Sequence, residues 1–125
     1  MASLPESVLA AWHDREDPVI LATTDADGTP NVIYVTCVSV FGNDRLVVAD
    51  NYFDKTRKNF LRGGKGAMLF RSKAGKAYQV KGTLEYCTEG GVFEDMKRWN
   101  PEKHPGHAAA ALRVETVYSG SQKLC

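Results

Sequence analysis

The strongest constraint on this chain's fold is the alternation in residues 76–87. Tyr78, Val80, Gly82, Leu84 and Tyr86 fall on one side of an extended backbone, and Gln79, Lys81, Thr83 and Glu85 fall on the other. Side chains on a strand point alternately to opposite faces, so this segment lays one face on a core and turns the other to polar surroundings. Such a strand needs partners, and the chain supplies them in quick succession. Residues 19–24 read as a strand bounded by Pro18 and the turn Asp25-Ala26-Asp27-Gly28. Pro30 opens a second strand over 31–40, which Gly42-Asn43-Asp44 closes, and 46–49 makes a third. Such short connections imply antiparallel hairpins. Residues 67–71 follow the break Gly63-Gly64-Lys65-Gly66, and 109–118 carry Leu112, Val114, Thr116 and Tyr118 on one face. The expectation is a mainly β fold with short helices, a six-stranded antiparallel barrel that is closed or partly closed.

Three helices fit between the strands. Ser3-Leu4-Pro5-Glu6 has the form of a capping box, with Ser3 as N-cap ahead of the stripe Val8, Leu9 and Trp12. A second helix opens at Asp54-Lys55-Thr56, and a third over 91–99 carries Val92, Phe93, Met96 and Trp99 on one face. Residues 100–106, with Pro101, His104 and Pro105, read as a loop. At 125 residues the chain makes one domain, 1–125, with a core but no room for a second.

Charge and composition narrow the function. Sixteen basic and 15 acidic residues leave a net charge of +1, too little to draw nucleic acid or an anionic membrane in bulk. No apolar run approaches the roughly 20 residues of a membrane span. The start Met1-Ala2-Ser3-Leu4-Pro5-Glu6 lacks the basic-then-apolar pattern of a signal peptide, so a cytoplasmic protein is expected. Cys37, Cys87 and Cys125 are odd in number and widely spaced, which argues against a disulfide framework and a structural zinc site. His13, His104 and His107 have no partner at metal-ligand spacing, so no metal is expected. No nucleophile–base pair is recognisable, and no catalytic side chain is assigned. Any chemistry must come from a bound cofactor.

Two features suggest where such a group would sit. A strand runs into a short polar loop and then into the helix that starts at Asp54, Lys55 and Thr56. A helix start presents unpaired N–H groups and the positive end of the dipole, and Lys55 and Thr56 add an ammonium and a hydroxyl, so the spot suits a phosphate. The competing account is a plain capped surface helix with Asp54 as N-cap and Lys55, Arg57 and Lys58 as its solvated face. The second feature is the segment 33–40, where Ile33, Val35, Cys37 and the intervening Tyr34, Val38 and Val40 make both faces apolar. A barrel strand buried on both faces needs cover from outside, by a second subunit or a flat ligand, and a homodimer is expected.

Three motifs in order then carry a family resemblance. Ala22-Thr23-Thr24-Asp25-Ala26-Asp27-Gly28-Thr29-Pro30-Asn31 resembles the opening hairpin of the FMN-binding split-barrel proteins related to pyridoxamine 5′-phosphate oxidase. Leu46-Val47-Val48-Ala49-Asp50-Asn51 through Lys55, Thr56 and Asn59 is similar to their phosphate-binding segment, and Ala77-Tyr78-Gln79-Val80-Lys81-Gly82 to a later strand. The resemblance implies a split barrel that binds FMN at a homodimer interface and serves as an oxidoreductase or electron-transfer protein. Lys55 and Thr56 would hold the phosphate. Val35, Thr36 and Cys37 would run beside the ring, Ala49, Asp50 and Asn51 would meet its edge or the ribityl chain, and Asn59 would complete the site. The chain lacks the Arg- and His-bearing tail of pyridoxamine phosphate oxidases, which argues against that activity itself. Two rivals are a split barrel holding deazaflavin or haem and a cofactor-free module for oligonucleotides. The latter would use Tyr34, Tyr78 and Tyr86 with the basic cluster Arg57, Lys58, Arg62, Lys65 and Arg71.

Overall fold

The structure is a computed structural model that describes residues 2–125. Eight strands and three helices follow one another as α1 (Glu6–His13), β1 (Val19–Thr24), β2 (Pro30–Val35), β3 (Val38–Phe41), β4 (Arg45–Asp50), α2 (Lys55–Arg62), β5 (Lys65–Arg71), β6 (Ala77–Cys87), α3 (Gly91–Trp99), β7 (Ala108–Ser119) and β8 (Gln122–Lys123). Every strand pairing is antiparallel, in the order β2-β1-β5-β6-β7-β4-β3, with β8 beside β7. Among the described residues the strand count is therefore eight, not six. The two additional strands have different origins. Residues 31–40 do not form one strand: they break at Thr36 and Cys37 into β2 and β3, which pair with different neighbours. The short β8 closes a hairpin onto the end of β7.

The break at Thr36 and Cys37 explains how the sheet curls. β2 and β3 lie at opposite ends of the strand order, yet only two residues separate them in the chain. The two edges must therefore meet, and the sheet rolls into a barrel. Its interior holds Val19, Leu21, Met68, Val80, Leu112 and Val117, each essentially inaccessible to solvent. The alternation of β6 holds as expected: Tyr78, Val80, Gly82 and Leu84 are buried. Helix α1 lays Val8, Ala11 and Trp12 against this core, where Trp12 meets Phe70 edge-on at 5.1 Å and Phe70 stacks on Tyr78 at 5.4 Å.

Two local expectations fail for physical reasons. The capping box is absent: Pro5 takes the N-cap position of α1 with extended backbone, and no side chain caps the helix. The alternation of β7 also changes phase. Its register with β6 slips at Lys81/Gly82, so Gly82 faces Val114 while Lys81 faces Thr116, and Glu115 is the extra residue of a bulge. Past the bulge Val117 enters the core in place of Thr116 and Tyr118. Gly82 is required at this crossing, because a Cβ there would lie 1.8 Å from the Arg113 carbonyl oxygen.

A second, smaller core lies outside the barrel. β4 and β7 are buried on both faces, and their outward residues Val47, Ala49, Ala109 and Ala111 pack under Met96, with Val92, Phe93 and Trp99 around it. Helix α3 therefore lies on the outside of the sheet, and its stripe is the one expected from the spacing.

Candidate functional site

A groove runs along one side of the barrel from the β2–β3 junction to the start of α2. Its wider end, of about 350 Å³, is lined by Ile33, Tyr34, Val35, Thr36 and Cys37 from the junction, by Val48, Ala49 and Asn51 at the end of β4, and by Tyr52, Phe53 and His104. It narrows into a space of about 130 Å³ bounded by Asn31, Ile33, Tyr52, Phe53, Asp54, Lys55 and Thr56. Beyond lies a recess beside Asp25, Thr29, Pro30, Asn31, Lys55, Lys58 and Asn59. Shared walls make the three one path: Ile33, Tyr52 and Phe53 line the first two, and Asn31 and Lys55 the last two.

The polar end is built around α2. Asp54 occupies the N-cap position but its side chain makes no capping bond, which leaves the first-turn N–H groups without a side-chain acceptor. Lys55 is exposed beside them, while Thr56 is buried. The Asn31 amide donates to the Thr56 hydroxyl oxygen at 2.9 Å, so the Thr56 proton is left to donate elsewhere. Asn59 is buried too, and its amide donates to Thr23 Oγ1 at 2.8 Å, tying α2 to β1.

The apolar end owes its shape to a loop that returns from far along the chain. Asn51 and Asn100 exchange side-chain hydrogen bonds at 3.1 and 2.9 Å, and the Gly106 N–H donates to Asn51 Oδ1 at 2.9 Å. The His107 N–H donates to the Asp50 carbonyl at 2.9 Å. These bonds hold residues 100–107 against the end of β4 and bring His104 to the groove, where its Nδ1 lies 3.1 Å from the Tyr52 hydroxyl. Asn51 thus uses its side chain to fasten the wall, while also lining the groove.

Of the nine residues that the sequence nominates, Val35, Thr36, Cys37, Ala49 and Asn51 line the wide end, and Lys55, Thr56 and Asn59 surround the polar end. Asp50 stands apart. It is fully buried and does not line the groove; its carboxylate instead receives Arg57, Tyr86 and the Phe53 N–H. Burial pushes this carboxyl up, but the bonds from Arg57, Tyr86 and Phe53, with the Arg57 charge, outweigh it and hold Asp50 below the usual carboxylate range. Burial and the Asp50 carboxylate together raise the Tyr86 hydroxyl to about 12. The sequence reading missed Asn31, Tyr52, Phe53 and His104 as lining residues. Tyr52 and Phe53 sit in the loop it flagged, whereas His104 gave no signal because its partner is 52 positions away.

The donor set fits a phosphorylated planar ligand: an uncapped helix start with an ammonium and a free hydroxyl proton at one end, an apolar slot at the other. Known proteins give the shape a lineage. A relative in Methanocaldococcus jannaschii, the uncharacterised protein MJ0282, is 32% identical over 107 residues, which span 81% of this chain and 71% of that protein. Among solved structures, Group A Streptococcus HupZ superposes with a TM-score of 0.83 at 22% identity, over 98% of both chains. An FMN-binding protein from Syntrophomonas wolfei superposes with a TM-score of 0.72 at 20% identity, over 91% of this chain and 81% of that one. These likenesses identify the fold as a split barrel, and the sequence signature of pyridoxamine 5′-phosphate oxidase matches residues 5–120. Nearly the whole chain takes part in that match, so it belongs to the pyridoxamine 5′-phosphate oxidase family.

Proposed function

We propose that the chain is a flavoprotein that holds FMN non-covalently in this groove and works as an oxidoreductase or electron-transfer protein on a small substrate or redox partner. The observation that carries the reading is the continuity of the groove, from the apolar slot at Thr36 and Cys37 to the uncapped first turn of α2. Lys55, the first-turn N–H groups and the Thr56 hydroxyl would hold the phosphate, with Asn59 fixing the helix behind them. Val35, Thr36, Cys37, Ala49 and Asn51 would flank the ring. A bound flavin supplies the one- and two-electron chemistry that no side chain of the site offers. The protein's own part is to anchor the phosphate, exclude water from one face and present backbone hydrogen-bonding groups to the ring.

The reading includes a homodimer. Val32 and Tyr34 are 62% and 74% exposed on the outer face of β2, and Leu69 is 41% exposed on β5. Ile20 pairs with both Tyr34 and Leu69 in the sheet, so these residues form a contiguous outward row beside the groove. A second copy laid on that row would cover it and close the slot from outside.

The test is visible absorbance of the purified protein, followed by FMN titration monitored by flavin fluorescence. A flavin spectrum or saturable quenching is expected. Lys55→Ala removes a charge-assisted contact, and FMN affinity should fall about ten- to a hundredfold, equivalent to about 1.5–3 kcal/mol. Unchanged affinity in that variant overturns the phosphate site. A deazaflavin or haem spectrum would keep the barrel and replace the ligand. No pigment, no quenching and salt-sensitive capture of single-stranded nucleic acid would favour a binding module.

A further inference from the structure

We propose that Asp50, Arg57 and Tyr86 are positioning residues, a clamp closed on the buried Asp50 carboxylate that aims the first turn of α2 into the groove. The proposal rests on the phosphate reading above and deepens it.

The clamp joins three elements at one carboxylate. Arg57 donates through Nε to Asp50 Oδ2 at 2.7 Å and through Nη2 to Oδ1 at 3.0 Å. Tyr86, from β6, donates its hydroxyl to Oδ2 at 2.6 Å. The Phe53 N–H donates to Oδ1 at 3.1 Å, which shapes the turn entering α2. Asp50 is the last residue of β4 and the floor residues Ala49 and Asn51 flank it, so the clamp is referenced to the groove itself.

Helix geometry links the clamp to the anion site. Successive helical residues are about 100° apart, so fixing the direction of Arg57 also fixes the directions of Lys55 and Thr56 in the same turn. A two-pronged guanidinium–carboxylate pair is the polar contact best suited to setting an orientation, because its planar fork accepts little rotation. Stability alone is a poor reason for such a pair. Burying the Asp50 carboxylate costs desolvation that an apolar side chain would avoid, and the net contribution of its pair with the partly exposed Arg57 is often small. The buried charge is better explained by what it orients. Arg57 is also spent on Asp50, which leaves Lys55, with Lys58 beside the recess, to supply the positive charge at the start of α2.

The experiment compares affinities for FMN and riboflavin, which differ only by the phosphate, in wild type, Tyr86→Phe and Asp50→Asn. Tyr86→Phe removes one arm of the clamp without changing charge. It should weaken FMN about three- to tenfold and leave riboflavin unchanged. Asp50→Asn tests the sign. If Arg57 only lends charge to the phosphate, removing the neighbouring carboxylate tightens FMN; if the clamp positions the turn, FMN weakens by about tenfold or more. Should Asp50→Asn fail to fold, Tyr86→Phe decides. Tighter FMN in Asp50→Asn, or equal losses for both ligands in Tyr86→Phe, overturns the clamp. A wild type that binds FMN no better than riboflavin overturns the phosphate reading and the clamp together. A wild type that prefers FMN, with the preference intact in Tyr86→Phe, overturns the clamp alone.

Discussion

Two parts of the barrel wall are apolar on both faces, and they are finished differently. On the β4–β7 side, the outward row Val47, Ala49, Ala109 and Ala111 is roofed by α3 of the same chain and is almost entirely inaccessible. On the β2–β1–β5 side, no helix among the described residues roofs the outward row Val32, Tyr34, Ile20 and Leu69, and Tyr34 stays 74% exposed. The side chains differ accordingly. Under α3 the sheet presents alanines, which allow a helix to lie close, whereas the open row presents larger residues that would interdigitate with a surface brought from elsewhere. A strand apolar on both faces thus states only that it must be covered. Whether the chain itself covers it is written in a distant segment, here residues 91–99.

The largest effect is expected on the roofed side. Met96 is fully buried at the joint between α3 and the sheet, and Met96→Ala should destabilise the fold by about 2–5 kcal/mol in chemical denaturation. A loss below about 1 kcal/mol would mean that the outer core is not closed as described. On the open side the same kind of measurement should register little. Val32→Ser and Tyr34→Ser together should shift monomer stability by no more than about 1 kcal/mol, at about 0.5 for each surface change, yet shift the protein toward monomer in light scattering. A stability loss matching that of Met96→Ala would erase the contrast between the two walls.

The smallest effect concerns the Asp50 carboxylate and the Tyr86 hydroxyl that donates to it. Asp50 sits below its ordinary pKa in the fold, so its contribution is present above the unfolded value of 3.8 and lost as pH falls through the lower folded value. Tyr86 works in the opposite sense. Its value is raised from 10.0 to about 12, so its contribution is present below 10 and lost as pH rises toward 12. Thermal melts across both windows should show sloping shoulders. Asp50→Asn should flatten the acid one and Tyr86→Phe the alkaline one; shoulders unchanged in these variants would remove the two groups from the linkage.

Much of this architecture was legible because it is local. The period-two pattern of residues 76–87 and the stripe Val92, Phe93, Met96 and Trp99 each depend on neighbours a few positions away, and both stand where the spacing puts them. The start of α2 was legible for the same reason, since Lys55 and Thr56 open the helix. What was not legible depends on distant partners. The phase change at Glu115 follows from the close approach of Gly82 to the Arg113 backbone, which no window around residue 115 records. Asp50 reads like a loop-edge ligand, but Tyr86, 36 positions away, claims its carboxylate along with Arg57. The wall carrying His104 is tied by an asparagine pair 49 positions apart. The apparent capping box failed because Pro5 itself stands at the N-cap, and Ser3 lies too far upstream to reach.

The two-residue link at Thr36 and Cys37 has a consequence for how binding would be felt. It is the hinge pin of the barrel: the sheet's two free edges are fastened there, and the same residues wall the groove. A ligand seated against the link therefore touches both ends of the rolled sheet at once, and letting the barrel unroll would mean letting the ligand go. By mass action, occupancy then stabilises the whole molecule rather than one loop, by about 2.7 kcal/mol at a hundredfold excess over Kd. Local loosening near the site and global unfolding would become one event, and a rise in Tm would serve as a direct gauge of occupancy.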